Sequence, residues 1–173
     1  MTDGIMLPPD GGRHIDGGGI HAVLKASMVD SAYAATFVVT VPPGYDVGAH
    51  VHGRSQEMFF VIEGRLDVLG FEPEDRSVPD WHDWESPSGR RFLRGGPGAF
   101  LFVPENTPHA FANTTDENTV MLFQSSIAEG HEKYFEELAA LLEQSGNRPG
   151  EAAMADLRRR YDTEQLTALH PGD

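Results

Sequence analysis

The sequence predicts an all-β fold, a sandwich or barrel of short strands, with a two-helix extension at its C-terminal end. Three features carry that reading. Apolar and β-branched stretches recur at short intervals between His21 and Ser126, separated by Gly, Pro or Asn. Beyond Ser126 the apolar spacing changes to three and four residues, the period of a helix. At 173 residues the chain is long enough for one domain with a real hydrophobic core.

Taken in order, residues 1–19 are rich in glycine, contain two prolines and show no periodicity, which predicts a flexible or loosely draped arm. The stretches HAVLKASMVD and YAATFVVTV follow, and Pro42-Pro43-Gly44 then forces a turn. DVGAHVH, EMFFVIEG, RLDVLGF, GAFLFVPE, HAFANT and TVMLFQSS complete a β region spanning 20–127. In HEKYFEELAALLEQSG, Tyr134, Phe135, Leu138, Leu141 and Leu142 share one helical face, with Gly146 as its C-cap. A second helix is expected from about Gly150 to Tyr161, with Pro149 near its first turn. These helices make up an extension over 128–173. It is too short to bury a core of its own and is expected to pack on the β region.

Composition narrows the function classes. Apolar residues make up 39% and charged residues 23%, the profile of a soluble globular protein. No apolar run is long enough to cross a bilayer, and the N-terminal stretch lacks the basic start and apolar core of a signal peptide, so a cytoplasmic location is expected. Thirteen basic side chains stand against 27 acidic ones, a formal net charge of -14. Such a chain repels phosphate backbones and anionic lipid, so neither nucleic acid nor a membrane surface is expected as a partner. The one dense basic run, Arg158-Arg159-Arg160, reads as a solvated helix face. The absence of cysteine excludes disulfides, zinc–thiolate sites and thiol catalysis. Eight histidines and the carboxylates remain as metal donors.

Those donors cluster in sequence. His50 and His52 lie two apart on a strand, so their side chains leave the same face. A reversal at Gly53-Arg54 brings the next strand alongside, with Glu57 at its start. Farther on, a strand ends in the turn Pro104-Glu105-Asn106-Thr107-Pro108 and delivers His109 to the start of another. Imidazoles and a carboxylate gathered in this way have few structural uses and suit a divalent metal. A lone histidine on an apolar strand would instead be a satisfied core residue.

The pattern resembles the cupin superfamily. Its first motif is a glycine, five residues, His-x-His, three or four residues, glutamate, six residues and glycine; Gly44, His50, His52, Glu57 and Gly64 match it. Its second is a glycine, five residues, Pro-x-Gly, two residues, histidine, three residues and asparagine; Gly98, Pro104, His109 and Asn113 match, while Asn106 replaces the usual glycine. Asparagine tolerates positive φ, so the turn is expected to survive. The resemblance implies a double-stranded β-helix, jelly-roll-like barrel with His50, His52, Glu57 and His109 holding one divalent transition metal ion. Iron comes first, with manganese, nickel, copper or zinc as alternatives.

Within the superfamily the chain is most similar to the quercetin 2,3-dioxygenase-like group of single-domain cupins. That likeness implies that Glu57 is both ligand and catalytic base and that His50, His52 and His109 are plain ligands. The leading expectation is a metal-dependent dioxygenase acting on a small phenolic, enolic or polyketide-like substrate. A redox-neutral metallo-cyclase or isomerase, or a non-catalytic binding cupin, are the alternatives, and a homodimer is expected. Phe59, Val61, Phe100, Phe102 and Phe111 are expected to line or floor the barrel. The long loop over 72–91, with Trp81 and Trp84, is expected either to form a lid over the pocket or to cover an external apolar patch or dimer contact. His14, His21, His82, His131 and His170 lie outside the motifs and receive no ligand role.

Overall fold

The structure is a computed structural model that describes residues 4–17, 19–31, 33–126, 130–145 and 150–171. Alternation of apolar and polar side chains decides most of its strands. In β3 (Ala34–Val41) and β11 (Thr119–Ser126) every second residue is buried, as a strand with one face on a core requires. β3 and β11 pair antiparallel along their whole lengths, and β6 (Glu57–Glu63) continues the sheet on the other side of β11. β1 (Arg13–Gly17), β2 (Ile20–Ala26) and β9 (Phe100–Val103) extend it to the order β1-β2-β3-β11-β6-β9.

The second sheet is made of shorter strands: β4 (Tyr45–Asp46), β5 (His50–His52), β7 (Leu66–Gly70), β8 (Leu93–Gly95), β10 (His109–Ala112), β12 (Thr163–Gln165) and β13 (His170–Pro171). Its main path runs β12-β5-β10-β4-β13, with β7 on β10 and β8 on β7. Side chains of both sheets meet in one core, including Phe37, Val39, Phe59, Val61 and Met121 from the first and Tyr45, Leu66, Val68 and Phe111 from the second. The two antiparallel sheets form a jelly roll that stays open rather than closing into a continuous barrel.

Two turns show how local chemistry sets the frame. Gly64 turns β6 toward β7 at φ 76°, and a Cβ there would stand 2.4 Å from Thr119 Oγ1, so only glycine fits. Asn106 takes φ 60°, the left-handed conformation that the replaced glycine would have supplied. Asn113 closes the second motif as a structural bracket. Its Nδ2 donates to the Val41 and Glu117 carbonyls at 2.9 and 2.8 Å, while Oδ1 accepts from the Thr115 amide and hydroxyl.

The structure corrects several expectations. Part of the 1–19 arm is built in: Arg13–Gly17 forms edge strand β1, with Ile15 buried. The C-terminal extension is not purely helical. After α1 (His131–Ser145) and α2 (Glu151–Arg160) the chain returns to the second sheet as β12 and β13, pairing with β5 and β4. Gly150 is the N-cap of α2; the expected cap at Gly146 and Pro149 lie outside the described residues.

Phe100 and Phe102 do not line the core. They are 56% and 51% exposed, because Leu101 and Val103 take the inward positions of β9. Together with Phe60 and Ile62 of neighbouring β6 they form an outward apolar stripe. Phe59, Val61 and Phe111 are buried as expected.

The 72–91 loop covers an external apolar patch and is no lid. Trp81, in the 3-10 turn Trp81–Asp83, and Trp84 pack with Ala49, Leu69, Phe71, Ala110 and Ala112 on the outer face of the second sheet. Their indole N–H groups donate to Asp46 Oδ1 and the Val78 carbonyl, each at 2.9 Å. That sheet is therefore buried on both faces, which is why all four residues of β10 are buried.

The inverted parity of β9 has a measurable consequence. Phe59→Ala should lower unfolding free energy by about 3–5 kcal/mol, whereas Phe102→Ala should change it by less than about 1 kcal/mol. Urea unfolding of the two variants checks the difference.

Candidate metal centre

The ligand cluster straddles the two sheets. His50 and His52 leave one face of β5, and His109 stands directly across from His50 in the β5–β10 pair. Glu57, first residue of β6, comes from the opposing sheet. The four side chains offer donor atoms that all lie within 4.8 Å of one another, and all four residues are buried. The ring centroids are 4.2 Å apart for His50–His109, 5.1 Å for His50–His52 and 5.2 Å for His52–His109. The structure thus brings together the four residues expected as ligands.

Each histidine is held by the same device. Nδ1 of His50 meets the Gly48 carbonyl, that of His52 the Asp162 carbonyl, and that of His109 the Thr107 carbonyl, each at 2.9 Å. A carbonyl only accepts, so Nδ1 carries the proton and Nε2 presents a lone pair. His109 Nε2 stands 2.9 Å from Glu57 Oε2, and His52 Nε2 stands 3.3 Å from Oε1. Lone pairs facing carboxylate oxygens at these distances repel unless a cation lies between them. Accordingly, His52 Nε2 and His109 Nε2 are buried without a hydrogen-bond partner, an arrangement that costs about 1–3 kcal/mol per group if nothing else satisfies it.

Electrostatics agree with a cation-binding role. Burial, reinforced by His109 and His52, holds His50 well below the usual imidazole range, so it is neutral and free to ligate. Burial alone would raise Glu57, but His52, His131 and His109 together hold it well below the usual carboxylate range. Burial opposes charge on His52 as well, but Glu57 outweighs it and raises His52 above the usual imidazole range, so a metal at this ring competes with a proton. Three imidazoles and a carboxylate suit a divalent first-row transition ion and leave one or two of six positions open.

Sequence reasoning missed His131. The first residue of α1, it is buried beside the cluster, with Nε2 2.8 Å from Glu57 Oε1 and Nδ1 2.8 Å from Ser125 Oγ. Its ring lies 5.0 Å from that of His52. A signal was present: His131, Phe135 and Leu138 stand four and seven apart, so the histidine heads the apolar stripe of the helix.

The cluster borders a cavity of about 1440 Å³. Tyr45, Phe59, Phe111, Phe123, Tyr134 and Phe135 form much of its wall, and α1, α2 and β1 close it. No residue of the 72–91 loop lines it. Arg158, expected on a solvated face, is half-buried and turned toward this cavity.

The jelly roll and its three-histidine, one-carboxylate centre define a cupin. The cupin family profile matches residues 23–144, and the chain belongs to that family. It is similar to polyketide synthase CurC of Streptomyces cyaneus, 27% identical over 110 residues that cover 64% of this chain and 60% of that protein. Solved structures of like fold include the polyketide cyclase RemF from Streptomyces resistomycificus, with TM-score 0.52 and 17% identity over 73% of this chain and 80% of that one. A cupin sugar phosphate isomerase from Silicibacter pomeroyi is comparably similar, with TM-score 0.54 and 18% identity over 70% and 75% of the two chains. Among the described residues no helix is long and apolar enough to cross a membrane.

The protein reconstituted with zinc or iron(II) should bind close to one equivalent, and His52→Ala or His109→Ala should abolish tight binding. His131→Phe should keep the site and weaken it by about 10- to 100-fold, the usual effect of removing a group that orients a ligand. Plasma mass spectrometry after dialysis against a chelator series measures both.

Proposed function

We propose that the chain is a metal-dependent enzyme acting on a polyketide-derived, enolic or phenolic aromatic molecule, and that it catalyses a redox-neutral ring closure or isomerisation. The observation that carries this reading is the opening of the ligand cluster into a large cavity with an aromatic wall. Its volume exceeds the roughly 300–1,000 Å³ of ordinary small-molecule pockets and suits a molecule of several fused rings. Similarity to proteins named as a polyketide synthase and a polyketide cyclase supports the same substrate class.

A divalent ion held by His50, His52, Glu57 and His109 would supply Lewis-acid polarisation of substrate oxygens. The chain's own residues do the rest. Stacked and edge-on rings of Phe59, Phe111, Phe123 and Phe135 bind a flat ligand and exclude water. Glu57 is the carboxylate at the cluster that can take a proton from a substrate hydroxyl or activated carbon. His131, which burial holds below the usual imidazole range, stands beside Oε1 and gives that proton a second position. The Ser125 hydroxyl can donate to or accept from His131 Nδ1, so either tautomer is satisfied.

Dioxygenase chemistry is the second reading, favoured by the open coordination positions that the four ligands leave. An oxygen electrode separates the two. With metal-loaded protein and a polyhydroxylated aromatic or poly-β-ketone test substrate, turnover should proceed equally under nitrogen and without oxygen uptake. Oxygen uptake matching product formation would reverse the assignment. Glu57→Gln should lower kcat by about 10²- to 10⁴-fold, the range for loss of a general base.

A further inference from the structure

The cavity wall also carries a basic side chain that is no part of the ligand cluster. Arg158 of α2 reaches that wall, and its Nε is buried without a hydrogen-bond partner. The other arginines nearby are neutralised. Arg159 pairs with Asp156 at 2.7 Å, Arg160 with Glu137 at 2.5 Å, and Arg13, also on the cavity wall, with Glu132 and Glu136. Arg158 has no ion-pair partner among the described residues.

Nor do the carboxylates on the cavity wall supply one. Glu57 belongs to the ligand cluster, Asp16 pairs with His21, and Glu136 pairs with Arg13, while Glu143 is an exposed residue of α1. A half-buried guanidinium without a carboxylate, in a chain of net charge -14, is an unspent positive site.

Its neighbours are hydrogen-bond donors. The Tyr134 hydroxyl lies against the guanidinium, and Tyr45 is within its field. Burial pushes both phenols up, so both keep their protons and can donate. Tyr134 also connects Arg158 to the ligand cluster, since its ring lies 6.4 Å from that of His131, which in turn adjoins His52. We propose that Arg158, with Tyr134 and Tyr45, is the binding site for a carboxylate at the far end of an aromatic or polyketide-chain substrate whose oxygenated head faces the ligand cluster. The guanidinium offers the planar two-pronged geometry that a carboxylate matches. This assignment rests on the reading of the cavity as the substrate site.

The test compares 6-hydroxy-2-naphthoate, whose hydroxyl and carboxylate are too far apart to chelate one ion, with its neutral twin 6-hydroxy-2-naphthamide. Calorimetric titration of the zinc-loaded protein should show the acid binding at least about tenfold tighter than the amide, the scale of one charge-assisted pair. Arg158→Leu should bring the acid down to the amide's affinity and leave amide binding within about twofold, which also shows that the cavity still folds. Arg158→Lys should retain part of the preference, since it keeps the charge and loses the fork.

An undiminished preference for the acid in Arg158→Leu would overturn the proposal. So would a wild-type protein that does not distinguish the two probes, or that binds neither at millimolar concentration. Loss of the preference in metal-free His52→Ala would place the carboxylate on the metal and overturn it too. Retention of the preference in His52→Ala supports the Arg158 site even where the metal-dependent activity fails.

Discussion

The register between β5 and β10 is the constraint on which the rest depends. His109 pairs with His50, and this single cross-strand match aims two imidazoles at one point. A slip of one residue would turn His109 out of the core and put Ala110 in its place. Both flanks of the pair are tied down. β7 runs along β10 from His109 to Ala112, and β12 runs along β5 so that Thr163 stands across from His52. The carboxylate comes from the other sheet, so the position of Glu57 depends on how the two sheets face each other, which the shared core of aromatic and branched residues fixes.

Carbonyl groups at Gly48, Thr107 and Asp162 complete the centre by fixing three tautomers. In each the hydrogen bond comes from the backbone carbonyl, which residue type does not reveal. His131 is different in kind: it acts by contact with Glu57 and Ser125, and through α1 it ties the cavity roof to the ligand cluster. The metal end and the roof are in this way one structure.

Much of this was legible in the sequence, for reasons that can be traced. The ligands were readable because spacing two on a strand puts His50 and His52 on one face, and the flanking glycines and Asn106 mark turns that only special residues allow. Strands β3 and β11 were readable by alternation. In β9, FLFV is apolar at every position, so parity carried no information and Phe100 and Phe102 were assigned to the wrong face. Strand β1, RHIDG, offers a single apolar side chain amid glycines, and only its pairing with β2 orders it. Arg158 was hidden within a run of like charges, where the turn of a short helix, not composition, decides which of three arginines faces inward. The Trp loop satisfied the composition of a lid, and only the apolar outer face of the second sheet, which it buries, explains its actual place.

The hold of the Asp162 carbonyl on His52 also sets an order of events during synthesis. All four donor residues lie between 50 and 109, so they leave the ribosome well before the segment that steadies one of them and roofs the cavity. A nascent chain ending near residue 126 would carry the donors without the α1 histidine, without β12 on the open edge of β5, and without the third carbonyl clamp. A coordination site of this geometry would therefore wait on α1 and β12. Those elements act as the closing step that turns a set of donors into a defined cluster.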